Sequence, residues 1–313
     1  MLPALNQSIQ LSNGITMPFL GLGTWQARSS EMKNALRVAF DNGYRSIDTA
    51  KIYGNETEIG DVIREYISSN KLKREDIFVT TKLWFTNNRP EDIETELRNS
   101  LKRLQLDYVD LYLAHFPTCF SRSGTRHDFS VKVEDTWRGL EDVYMKGLTK
   151  SIGVSNFSNE QIERIMKIAK VPIHNSQVEL YLYWPQYEHQ KTCEKYNISL
   201  TAYAPIGSPG RITFQGPNRG KPKIPLQDEI VLELSKKYKK TPAQILLRHL
   251  IQRGVAVIPK SSNNKRIIEN CQIFDFEIDT DDMKRLNDIS YRFRLFKQEH
   301  MIGHPEDAFA KER

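Results

Sequence analysis

Cysteine is scarce in this chain of 313 residues, and Cys119, Cys193 and Cys271 are odd in number, far apart and free of any CxxC spacing. That arrangement argues against a disulfide framework and against a zinc site, and it suits a reducing cytosol. Long apolar runs are missing as well. No uninterrupted stretch reaches the roughly eighteen residues a membrane span needs, and Met1 to Gln10 has no basic segment followed by an apolar one. We expect neither secretion nor membrane insertion. There is no internal repeat and no linker to divide residues 1–313, which we expect to form one domain. The net charge of +6 comes without finger spacing, an RNP-like aromatic run or a long basic tail, so nucleic acid is not an expected partner. Its densest cluster, Lys236, Lys237, Lys239 and Lys240, ends a predicted helix, where cations complement the helix dipole.

What is present is a chain 39% hydrophobic and 27% charged, enough to bury a sizeable core. Apolar runs of strand length alternate with segments of helical period, the pattern of a parallel sheet with crossover helices. The strand candidates are Leu20–Thr24, Ser46–Ala50, Ile77–Leu83, Val109–His115, Ser151–Ser155, Asn175–Leu180, Leu200–Ala204 and Val255–Pro259. Between them, Ile93, Leu97, Leu101 and Leu104 form one apolar helical stripe, and Ile162, Ile165, Met166 and Ala169 form another. Ser158 with Gln161 and Thr241 with Gln244 have capping-box spacing, the second with Pro242 at the first helical position. Eight β-then-α units predict an α/β fold of the (β/α)8 TIM-barrel type. Ahead of them, Ile9 and Leu11 face Ile15 and Met17 across Asn13-Gly14, a two-residue hairpin signal expected to cap the barrel bottom. Two connections are long, Phe116–Val133 and Ile206–Pro225, the latter carrying Gly207, Gly210, Gly216, Gly220, Pro209, Pro217 and Pro222. Both leave the C-terminal ends of predicted strands, where barrel enzymes build their sites. A helix around Asp281–Ile289 and a polar tail to Arg313 follow the last unit.

Four polar groups stand at or just beyond consecutive strand ends: Asp48, Tyr53, Lys82 and His115. Each alone could be structural, as a helix cap, a tethered phenol, a snorkelling lysine or a satisfied core imidazole. Convergence of all four on one barrel mouth suits the protonation of a developing alkoxide during hydride transfer. A phenol ordinarily titrates near ~10, so Lys82 is expected to pull Tyr53 toward working pH. Asp48 would hold Lys82 charged, and His115 would orient the carbonyl.

Several stretches carrying these residues, GYRSIDTAKIYGNE (Gly43–Glu56), VTTKLW (Val79–Trp84) and DLYLAHFP (Asp110–Pro117), resemble the aldo-keto reductase family, particularly its aldose- and aldehyde-reductase-like members. So do GVSNF (Gly153–Phe157), QVELYLYWPQ (Gln177–Gln186), TAYAPIGS (Thr201–Ser208) and IPKSSNNKRIIEN (Ile258–Asn270). The resemblance runs from the hairpin to about residue 290 and lays the family's tetrad on Asp48, Tyr53, Lys82 and His115. It implies NADPH-dependent reduction of aldehydes or ketones with Tyr53 as general acid, no metal and a monomer. An NADP(H)-binding protein without turnover is the alternative, because the fold can be reused.

No GxGxxG follows a predicted strand, so the dinucleotide is not held by a Rossmann half. After strand eight come Lys260, Ser261 and Ser262, with Arg266 in the next helix, cations and hydroxyls suited to an adenosine 2′-phosphate and hence to NADP. The resemblance further implies that Ser155, Asn156 and Gln177 hold the carboxamide, that Tyr203 stacks on the nicotinamide, and that Glu269 and Asn270 contact the adenine. Thr24 and Ser208 complete the implied cofactor set, and transfer of the pro-R hydrogen is expected. Trp25, Ile52, Trp84 and Phe116 lie beside the tetrad as an apolar funnel for the carbonyl.

The chain departs from those relatives in places that set specificity. Phe116 stands where they commonly carry tryptophan and Ala204 where many carry serine. The 116–133 loop is shorter, and the tail His304–Phe309 differs from their aromatic-rich ending. Gln26 and Gly210 occupy positions where some relatives pair Lys with Asp across the cofactor, which predicts weaker latching of the loop after strand seven.

Overall fold

Runs rich in Val, Ile and Leu that read as buried on both faces can be satisfied only where helices cover one side of a sheet and the sheet curls around the other. The computed structural model, which describes residues 7–27, 29–214 and 222–313, is built this way. A short antiparallel pair, β1 (Ser8–Gln10) and β2 (Thr16–Pro18), precedes eight parallel strands. These are β3 (Leu22–Gly23), β4 (Ser46–Asp48), β5 (Phe78–Leu83), β6 (Leu111–Ala114), β7 (Ile152–Ser155), β8 (Asn175–Glu179), β9 (Ser199–Tyr203) and β10 (Ala256–Val257). They neighbour one another in chain order, and parallel bridges Leu20–Val257 and Gly23–Lys260 close the first strand on the last. The fold is the expected (β/α)8 barrel.

All eight predicted strands are present but most are shorter at one or both ends, because the chain leaves the ladder as it turns into the loops of the mouth. Ala204, expected in the seventh strand, has φ +53° and cannot extend it. Between strands run α1 (Ser29–Asp41), α2 (Glu56–Ser68), α3 (Pro90–Leu104), α4 (Val133–Met145), α5 (Asn159–Ile168) and α6 (Tyr187–Lys195), then α7 (Glu229–Tyr238) and α8 (Pro242–Gln252), with α9 (Asn264–Cys271) after β10. The stripe of α3 is buried as its spacing predicts. Ser158 and Thr241 both close reciprocal capping boxes, with Gln161 and Gln244. Ala169 falls just outside α5, and α10 (Thr280–Asn287), capped by Asp279, stops two residues short of Ile289. Lys237 pairs with Asp279 and Asp282, and Lys240 with Asp275, so two of the clustered lysines are structural.

The hairpin differs from its expected form. Ile9 lies opposite Met17, and the Leu11 amide donates to the Ile15 carbonyl, which leaves Ser12, Asn13 and Gly14 as a three-residue turn with Gly14 at φ +84°. A left-handed glycine at the third position suits that turn as well as Asn-Gly suits a two-residue one. Leu11 and Met17 pack with Phe78, Leu111 and Ala256, near the N-terminal strand ends, so the hairpin closes the barrel bottom as expected.

At the opposite end, the 116–133 connection and the tail form one cluster of Phe85, Phe116, Phe120, Met301 and Phe309. The other long connection turns through a 3-10 segment at Pro209–Phe214. Gly216, Pro217 and Gly220 lie outside the described residues. Cys119, Cys193 and Cys271 are buried free thiols, and among the described residues no helix is long and apolar enough to cross a membrane.

Candidate active site

The C-terminal strand ends open into one cleft of about 810 Å³, which contains or borders nearly every residue singled out by sequence. Asp48, Tyr53 and His115 line it beside Trp25, Ile52, Trp84 and Phe116. Thr24, Asn156, Gln177, Tyr203 and Ser208 continue the wall toward Lys260, Ser261, Arg266, Glu269 and Asn270 at the far end. Two predicted residues stand behind the lining: Lys82, and Ser155, which accepts a hydrogen bond from the Asn156 side-chain amide at 3.2 Å.

Alternation along β5 turns Lys82 into the barrel, where its side chain is fully buried. Its Nζ donates to Asp48 Oδ1 at 2.5 Å and to the Thr49 carbonyl at 2.9 Å, and lies 3.5 Å from the Tyr53 hydroxyl. Gln177 donates to the other Asp48 oxygen at 2.7 Å, so the carboxylate is engaged on both sides. Tyr53 ends the 3-10 turn Lys51–Tyr53. That turn is tied to α3 by Lys51, which reaches Glu96 at 2.7 Å and Asn87 at 3.0 Å.

Burial pushes the Tyr53 phenol well above its ordinary pKa, and the Asp48 and Tyr203 oxygens add to the effect. This corrects the expectation that Lys82 draws Tyr53 toward neutrality. The ammonium is closer to Asp48 than to the phenol, so its field is largely spent on the carboxylate and desolvation decides. Lys82 itself is lowered by burial, against the opposing pull of Asp48 and Glu56. His115 is held well below the usual imidazole range by burial, then by Lys82 and His300. At neutral pH the site therefore presents a protonated phenol and a neutral imidazole. His115 stacks on Phe116 with centroids 4.8 Å apart, and Trp84 meets both rings edge-on.

Farther along, Asn156 bridges two strand ends: its amide donates to the His115 carbonyl at 2.9 Å and its oxygen accepts from the Tyr203 hydroxyl at 2.7 Å. Gln26, Asn156, Ala204, Ser208 and Gln298 all line the cleft and all have φ between +46° and +63°. Such backbone is uncommon outside glycine and concentrates at functional sites. The side chains of Lys260, four residues before α9, and of Arg266, in its first turn, are exposed and make no ion pair among the described residues. Glu269 is steadied by the Thr241 hydroxyl at 2.7 Å.

Sequence reasoning missed the post-barrel segment. Phe296 and Gln298 line the cleft, and Phe296 packs edge-on against Trp25 and Tyr203 while Arg211 lies 4.0 Å over its ring. The aromatic spacing of Tyr291, Phe293 and Phe296 in a segment read as a polar tail was the available signal.

A profile described as the Aldo/keto reductase family matches residues 19–290. Aldo-keto reductase family 1 member A1 of Gallus gallus is 42% identical over 91% of this chain and 89% of its own length, and that of Bos taurus 42% over 92% and 90%. Among solved structures, the aldose reductase of Schistosoma japonicum superposes with a TM-score of 0.89 at 38% identity, covering 98% of this chain and all of its own. A crystal structure of an aldo-keto reductase complexed with NADPH gives 0.90 at 38%, covering 97% of this chain and 93% of the other. By profile, by relatives and by fold, the chain belongs to the aldo/keto reductase family.

Proposed function

We propose that this enzyme reduces aldehydes and ketones to alcohols with NADPH, Tyr53 giving the proton and the cleft from Trp25 to Asn270 holding cofactor and carbonyl together. The observation that carries the reading is the buried Asp48–Lys82 pair reaching the half-buried Tyr53 hydroxyl, beside a neutral His115 at the mouth of the barrel.

The cleft fits the cofactor. Its far end offers two exposed cations, Lys260 just before a helix and Arg266 in its first turn, that make no ion pair among the described residues, the chemistry that recognises a 2′-phosphate. Lys260, Ser261 and Arg266 would hold that phosphate and Glu269 and Asn270 the adenine. Tyr203 would carry the nicotinamide face, with Ser155, Asn156 and Gln177 on its carboxamide and Thr24 and Ser208 along the way. Bound there, NADPH supplies the hydride.

The residues of the chain do the rest. Tyr53, kept protonated by burial, donates its hydroxyl proton to the carbonyl oxygen as negative charge grows there. The phenolate left behind faces the Lys82 ammonium, which Asp48 holds in place. His115, neutral and clamped between Phe116 and Trp84, hydrogen-bonds the same oxygen and fixes the carbonyl. Trp25, Ile52, Trp84 and Phe116 exclude water and favour apolar substituents, so small aromatic and aliphatic aldehydes are the expected substrates.

Consumption of NADPH and of NADH, each with a panel of aldehydes and ketones, tests this directly. Turnover should occur with NADPH, and Arg266→Ala should weaken NADPH binding by about tenfold or more while leaving NADH nearly unaffected. Tight NADPH binding with no carbonyl consumed would point instead to a non-catalytic binding protein.

A further inference from the structure

Glu179 ends β8 two residues beyond Gln177, and it is fully buried although the tetrad makes no use of it. A buried carboxylate is costly unless its oxygens are satisfied. Here they accept the backbone amides of Leu295 at 2.6 Å and Phe296 at 2.9 Å, neither of which belongs to the barrel. The Arg294 guanidinium stands 3.8 Å away, itself nearly buried, sandwiched by Trp184 at 4.8 Å and Phe309 at 3.7 Å, and paired with Glu312 near the end of the chain. The post-barrel segment thus makes a two-pronged contact with a strand end immediately beside the catalytic mouth. One of the two clamped residues, Phe296, carries the ring that meets Trp25, Tyr203 and Arg211.

We propose that Glu179 is a positioning residue that sets the substrate side of the cleft, by clamping the Leu295 and Phe296 amides so that the Phe296 ring closes the space between Trp25 and Tyr203. It touches neither the carbonyl nor the reacting hydrogen. Its effect reaches the reaction through Phe296, which makes it a determinant of which carbonyls fit. Substrates whose apolar substituent extends past Trp25 are held by the clamped ring, whereas the smallest aldehydes, contained between Tyr53, His115 and Trp84, do not reach it. Because Tyr203 shares the contact with Phe296, the clamp also steadies the platform proposed for the nicotinamide. The inference rests on the reductase reading for its effect on specificity, but the clamp itself is a statement about backbone amides and can be tested without turnover.

Hydrogen exchange on the full chain without cofactor gives the first reading. In the wild type the Leu295 and Phe296 amides should exchange as slowly as amides of the barrel strands. In Glu179→Gln, which keeps the size but leaves one amide without its carboxylate oxygen, both should exchange at least about tenfold faster while the strands stay protected. Kinetics give the second. Glu179→Gln should raise KM about tenfold for long or branched apolar aldehydes, with kcat and KM for the smallest aldehyde changed less than about threefold. Phe296→Ala should reproduce the KM change without the change in exchange, and it tests the specificity claim even if Glu179→Gln does not fold. Freely exchanging Leu295 and Phe296 amides in the wild type would overturn the clamp. Equal KM changes for large and small aldehydes in either variant would overturn its role in specificity. A wild type that consumes no carbonyl while showing the expected exchange pattern would leave the clamp standing and remove the reductase reading.

Discussion

Lys82 has no solvent contact, and a lysine so placed persists only because Asp48 and the Thr49 carbonyl accept hydrogen bonds from its ammonium. Removing one partner of such a pair leaves an uncompensated charge, so Lys82→Met should cost about 3–5 kcal/mol of stability in urea unfolding besides its effect on turnover. Tyr53 carries the opposite lesson. Its pKa lies well above the ordinary phenol value through burial, so the proposed proton donor stays loaded across the neutral range. The kcat/KM for reduction should therefore stay flat from about pH 6 up to ~10, the ordinary phenol value, with no descending limb from the phenol below it. A descending limb near neutrality would mean that Lys82 governs the phenol after all. The four residues themselves were legible in the sequence, because each stands at or just past the end of an apolar run. The direction of the Tyr53 shift was not, since it depends on how the Lys82 charge is shared with Asp48.

Elements whose signals are local came out as read. The capping box at Thr241 is one, and its hydroxyl also holds Glu269 at the end of the cleft proposed for the adenine. Thr241→Ala should lower thermal stability by about 1 kcal/mol and weaken cofactor binding as well, two effects that a cap alone would not join. Gly153 in β7 is a case that sequence could not reveal: a Cβ there would sit 2.3 Å from the Asn175 carbonyl oxygen of β8. Gly153→Ala should destabilise by about 1–3 kcal/mol, visible as a lowered urea midpoint. The hairpin turn was misjudged because Asn-Gly is compatible with both a two- and a three-residue loop, and only the pairing of Ile9 with Met17 distinguishes them. Phe296 was overlooked for a related reason. Its importance comes from contacts with Trp25 and Tyr203, far away in sequence.

Across the whole molecule, burial holds His174, His189 and His249 at pKa values of about 4, below the ordinary imidazole value. The unfolded chain takes up these protons as pH falls below about 6.5 and the folded chain does not until near 4, so stability is complete above that window and drains through it. The loss should be on the order of 1 kcal/mol per pH unit for each histidine fully within the window, measurable as a lower urea midpoint at pH 5 than at pH 7.5. The barrel also gathers at one mouth residues that the chain spreads from Thr24 to Gln298, and the proposed reaction needs them to act as one site. The most direct test compares single turnover of a small aldehyde by wild type and Tyr53→Phe, each saturated with NADPH, with cofactor affinity measured alongside. Cofactor binding should be kept within about threefold while the rate falls by about 10²–10⁴, the range a general acid contributes. A variant that binds NADPH and reduces the aldehyde at nearly the wild-type rate would rule out Tyr53 as the general acid.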